Sequence, residues 1–61
     1  MESEFLSVEQ LAALLDVTPA TVYGLRYRKD APPAARIGRE LRFRRLDVDR
    51  WLERRTEPSR D

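Results

Sequence analysis

The chain has 61 residues with no Cys and no His, and its twelve Lys or Arg against eleven Asp or Glu leave a net charge of +1. At this length only about 60% of the unfolded surface can be buried, which leaves little room for a catalytic pocket. Without Cys or His, disulfides, the commonest zinc sites, His general bases and Cys nucleophiles are all excluded, and no cofactor or metal is expected.

No apolar run approaches the roughly 18 residues of a membrane span. The opening Met1-Glu2-Ser3-Glu4 lacks the basic stretch of a signal peptide, so the reading is cytoplasmic, with residues 1–4 a flexible end. Ser7-Val8-Glu9-Gln10 then has the form of a capping box, Ser7 as N-cap and Gln10 reaching back, so a helix begins at Val8. Val8, Leu11, Ala12 and Leu15 repeat at helical spacing and make one apolar stripe. Leu14 lies off that stripe and is expected half exposed or covered by the last helix.

Asp16-Val17 breaks the pattern before Thr18, a good N-cap, and Pro19, suited to a first helical position. About three residues therefore separate two helices, which is helix-turn-helix spacing. Val17 is expected to plug the space between them. In the second helix, Thr18 to Arg28, Val22 and Leu25 form a narrow apolar stripe expected to face the core. The opposite face carries Ala20, Tyr23, Gly24 and Tyr27, flanked by Arg26 and Arg28 with Thr21 at its edge. No acidic residue occurs between Thr18 and Lys29, as suits a surface meant for phosphates. Gly24 costs a helix interior roughly 1 kcal/mol relative to Ala, so its presence asks for a reason such as close approach to a groove wall.

Pro32-Pro33 set a loop. Arg36 to Arg44 then alternates around a turn signal at Gly38-Arg39-Glu40, predicting a two-stranded hairpin. Its Ile37, Leu41 and Phe43 would face the helices while Arg36, Arg42 and Arg44 point away and Arg39 sits at the tip. A third helix is predicted over Arg45 to Arg55, with Val48, Trp51, Leu52 and the Arg55 stem on one face and Trp51 as the main core anchor. Residues 56–61 read as a flexible tail. Asp47 and Asp49, two apart on a helix, do not share a face, and the chain is read as a non-enzyme.

The near-neutral total hides a segregation of charge. Glu2, Glu4, Glu9 and Asp16 give residues 1–17 a charge of −4. Arg26, Arg28, Lys29, Arg36, Arg39, Arg42, Arg44 and Arg45 outweigh Asp30 and Glu40, giving residues 18–46 a charge of +6. An anionic partner is implied for that segment, and its preference for Arg, the residue of bidentate phosphate and guanine contacts, points to nucleic acid. A membrane surface fits less well, because no long amphipathic helix accompanies the basic segment.

Phe5 to Tyr23, then Arg36-Ile37-Gly38-Arg39 and Arg42-Phe43, then Asp47-Val48-Asp49-Arg50-Trp51-Leu52, resemble the MerR-related winged helix-turn-helix domains, closest to the small excisionases of phages and integrative elements. Asp16 departs from the pattern, standing at the turn position where many helix-turn-helix proteins place Gly. The resemblance implies a mainly α fold: a winged helix-turn-helix over residues 5–55, three short helices with a two-stranded β-hairpin wing between the second and third. It implies double-stranded DNA as partner, with Thr18, Ala20, Thr21, Tyr23, Gly24, Arg26, Tyr27 and Arg28 in the major groove. The wing, with Arg36, Arg39, Arg42 and Arg44, would lie on the backbone or in the adjacent minor groove. Excisionases act with an integrase and assemble cooperatively on attachment-site DNA, so integrase and further copies of the chain are the implied partners. The long dimerisation helix and effector domain of full-length MerR regulators are not expected, nor is a small-molecule effector. Two other readings stay open: a small transcription regulator at a promoter operator, and a protein-binding adapter whose arginine wing meets an acidic partner.

Overall fold

The computed structural model describes residues 4–57; the expected end segments at 1–3 and 58–61 lie outside the described residues. The order of elements is β1 (Phe5–Leu6), α1 (Val8–Leu15), α2 (Pro19–Tyr27), β2 (Ala34–Ile37), β3 (Glu40–Arg44) and α3 (Arg45–Arg55). Among the described residues no helix is long and apolar enough to cross a membrane.

The capping box forms as its spacing dictates: Gln10 N donates to Ser7 Oγ at 3.0 Å and Ser7 N to Gln10 Oε1 at 2.9 Å. Thr18 caps α2, with Thr21 N donating to Thr18 Oγ1 at 3.3 Å, and Pro19 takes the first helical position. Both helices end in the same device. Asp16 (φ 58°) and Lys29 (φ 59°) adopt the left-handed conformation, and the next residue's N–H turns back to a carbonyl five residues earlier. Val17 N donates to Ala12 O at 2.9 Å and Asp30 N to Leu25 O at 2.8 Å, the Schellman closure usually built on Gly. Because its backbone is drawn back onto α1, Val17 does not fill the space between the helices and is 38% exposed.

The hairpin belongs to a three-stranded antiparallel sheet of order β1-β3-β2, not to a free two-stranded wing. Phe5 pairs with Arg44 and Leu6 with Phe43, a strand too short to announce itself by alternation. The turn also differs. Ile37 pairs with Glu40 and Arg36 with Leu41, leaving Gly38 and Arg39 as a two-residue loop. Gly38 has φ 64°, and its place at the first position of the loop fits a type II′ turn. Cross-strand partners share a face, so this register puts Arg36 beside Leu41 on the helix-facing side and Ile37 on the other. The expected faces of β2 are thereby exchanged, as a one-residue change of register requires, and Ile37 is 56% exposed.

Val8, Leu11, Ala12, Val22, Phe43 and Val48 form the core, with Leu6, Leu15, Ala34, Leu41 and Leu52 packed around it. Leu25 is half-buried rather than central, and Leu14 is half exposed. Trp51 is buried, yet the centre belongs to Phe43, Leu11, Val22 and Val48. Its indole lies at the margin of the core, outside the central cluster, and donates through Nε1 to Asp30 O at 3.0 Å, so it also holds the loop that follows α2. Truncating Phe43, the largest fully buried side chain, removes about 3–5 kcal/mol, comparable with the whole stability of so small a domain. Phe43→Ala is expected to lose its cooperative thermal transition by circular dichroism; a wild-type Tm would contradict this packing.

Candidate nucleic-acid interface

The core positions two surface features. Val22 anchors α2 against α1, and α1 also packs on β3, so the second helix and the hairpin are referred to one rigid element. Burying Val22 turns the far side of α2 outward. Ala20, Thr21, Tyr23, Tyr27 and Arg28 are exposed, Tyr23 at 52% and Tyr27 at 89%. Gly24 and Arg26 are half-buried. Thr18 is committed to capping, and its hydroxyl also shares a hydrogen bond with that of Thr21 at 3.0 Å.

A tyrosine as exposed as Tyr27 places a large apolar ring in water with no folding gain. Gly24 is equally unexplained by the fold: a Cβ there would approach nothing closer than Arg28 Nη1 at 3.7 Å, an ordinary contact. Both features suit a helix whose outer face is completed by a partner.

The wing arginines divide between two faces and the tip. Arg39 lies in the turn and is exposed, and Arg36 projects from the helix-facing side. Arg42 and Arg44 lie on the opposite side with Phe5 and Ala35. Arg42 donates to Leu41 O at 2.8 Å and pairs with Glu40 at 3.5 Å, while the Arg44 guanidinium sits 5.8 Å from the centre of the Phe5 ring. Between α2 and the root of the wing runs a groove of about 210 Å³ lined by Arg26, Lys29, Ala31, Pro32, Pro33 and Ala34. It joins the basic end of the helix to the start of β2.

A second arrangement was not anticipated from the sequence. Arg55 pairs with Asp30 at 2.6 Å and its guanidinium lies 4.9 Å over the Trp51 ring, so three residues from α3 and the loop clamp the exit of α2. The partners are 25 and 21 positions apart in the chain, and local periodicity carries no signal of them.

Two capped helices joined by a tight turn, the second presenting an exposed aromatic and basic face beside a strand hairpin, define a winged helix-turn-helix module. A family model described as a helix-turn-helix domain matches residues 5–56, and the chain belongs to that family. Helix-turn-helix domains bind duplex DNA through the second helix, which makes duplex DNA the partner class of this chain. Among curated proteins, none matches the chain closely enough to count as a relative. Since the fold leaves room for a methyl group at residue 24, Gly24→Ala is expected to raise stability by up to about 1 kcal/mol in urea unfolding; a loss of stability would show that the backbone there is constrained.

Proposed function

We propose that the chain is a DNA-binding excisionase, a recombination directionality factor that binds attachment-site DNA cooperatively, bends it and directs an integrase toward excision. The observation that carries the DNA interface is the outer face of α2: Tyr23 and Tyr27 exposed on a helix that bears Arg26 and Arg28 and no acid. The excisionase assignment is supported by the resemblance carried by residues 5–54 and goes beyond the family match.

In this reading Thr21, Tyr23, Tyr27 and Arg28 read base edges in the major groove by hydrogen bonds and thymine-methyl contacts. Ala20 and Gly24 keep the helix low enough to approach the groove wall, and Thr18 fixes its N-terminus. Arg39 at the wing tip enters a narrow A·T-rich minor groove. Arg26, Lys29, Arg36, Arg42 and Arg44 serve phosphates, with about five neutralised in all and a salt slope near −0.9 for each. The division of the wing places Arg36 and Arg42 on opposite strand faces, so those two would meet different segments of backbone.

One module of this size reads only a few base pairs and is weak alone. Occupancy comes from copies on neighbouring sites, and copies side by side bend the DNA and set the arms of the recombinase.

Footprinting on an attachment region, with and without integrase, tests the assignment. Tandem protected repeats and a switch from integration to excision are expected; one operator protected at a promoter, with no effect on recombination, would make the chain a transcription regulator instead. Arg28→Ala and Arg39→Ala are each expected to weaken DNA binding by about 1–3 kcal/mol with the fold intact, and unchanged isotherms for both would refute this placement of the interface.

A further inference from the structure

A cleft of about 360 Å³ lies at the foot of α2 and is lined by Lys29, Asp30, Ala31, Trp51, Arg54 and Arg55. Arg54 and Arg55 come from the C-terminal part of the chain, whose charges balance in sequence, yet folding brings them beside Lys29. Asp30 neutralises Arg55. Lys29 and Arg54 are both exposed, and among the described residues neither has an acidic partner within salt-bridge distance. Lys29 lines the groove between α2 and the wing as well. The two grooves therefore form one basic track from Arg26, past Lys29, to the end of α3.

Lys29 also holds a conformation that favours Gly. Its φ of 59° closes the Schellman turn, where a Cβ is unfavourable and Gly is the usual occupant. A strained backbone position filled by a cation, next to a cleft that already holds an unpaired arginine, keeps a charge at a cost in stability.

We infer that Arg54 joins Lys29 in a phosphate-binding site at the joint between α2 and the C-terminal end of α3, which carries the backbone of the same DNA duplex from the Lys29 contact on past the segment under the wing. The inference rests on the DNA-binding reading and extends it to a helix that the charge distribution along the chain does not mark. The Asp30–Arg55–Trp51 clamp holds the two elements together, so Lys29 and Arg54 act as a pair. Trp51 is too buried to stack on a base, which leaves the cleft to the backbone.

The test is binding of the full chain to a duplex containing its footprinted site, and to an unrelated duplex, across a salt series. Lys29→Gly is expected to raise Tm by several degrees while lowering affinity for both duplexes about five- to tenfold and flattening the salt slope by about 0.9. Arg54→Gln should flatten the slope equally at unchanged Tm. Arg50→Gln, which removes the same charge from α3 away from the cleft, should leave the slope within error. A wild-type slope in Arg54→Gln would overturn the inference whatever Lys29→Gly shows, as would an Arg50→Gln effect equal to that of Arg54→Gln. Absence of DNA binding by the unmodified chain would instead overturn the DNA-binding reading, and the site with it.

Discussion

The molecule depends on the burial of Phe43. It stands on the middle strand of the sheet, paired to β1 through Leu6 and to β2 through Ala34, and no part of its side chain reaches solvent. Through it the sheet meets α1 and α3, and α1 in turn carries α2. An isolated hairpin of this length would be marginal in water. With Phe43 inserted between strands and helices, the hairpin becomes a fixed projection and α2 acquires a defined outward face. The functional geometry is thus a consequence of core packing, while the side chains that would touch a partner contribute little to it.

Local rules made the helices legible. The Ser7 and Gln10 pair, the Thr18-Pro19 start and the stripe of Val8, Leu11 and Ala12 are signals contained within one or two turns, and each formed as read. The exposed face of α2 followed from the same periodicity. The wing was harder. Gly38-Arg39-Glu40 permits a loop of two residues or three, and that choice alone decides whether Ile37 or Arg36 shares a face with Phe43. Apolarity favoured Ile37; the turn geometry at Gly38 prevailed, and Ile37 was left exposed. Strand β1 was invisible because two residues show no alternation, and its pairing is with residues almost forty positions away. The clamp of Trp51 and Arg55 on Asp30 was missed for the same reason: it depends on tertiary proximity.

The two left-handed residues show how this chain differs from an idealised version of its fold. Asp16 and Lys29 occupy positions where Gly would relieve strain. Asp tolerates that conformation better than most residues, through local hydrogen bonding of its short side chain; Lys has no such compensation. The polar choice at both turns keeps the acidic end of the chain on α1 and the basic surface on α2, so the turns take part in separating the charges. A basic α2 and wing set against an acidic α1 orient the domain during encounter with a polyanion, whereas the same charges spread evenly would bind without orientation.

The central claim is that the outer face of α2 and the adjoining wing form one surface for a duplex. The most direct measurement is a titration of isotopically labelled chain with duplex DNA, followed by amide chemical shifts. The account predicts the largest changes from Thr18 to Lys29 and around Arg36 to Arg39, with little change at Glu9 and Ala13 on the exposed side of α1. Shifts concentrated on α1, with α2 unmoved, would contradict it.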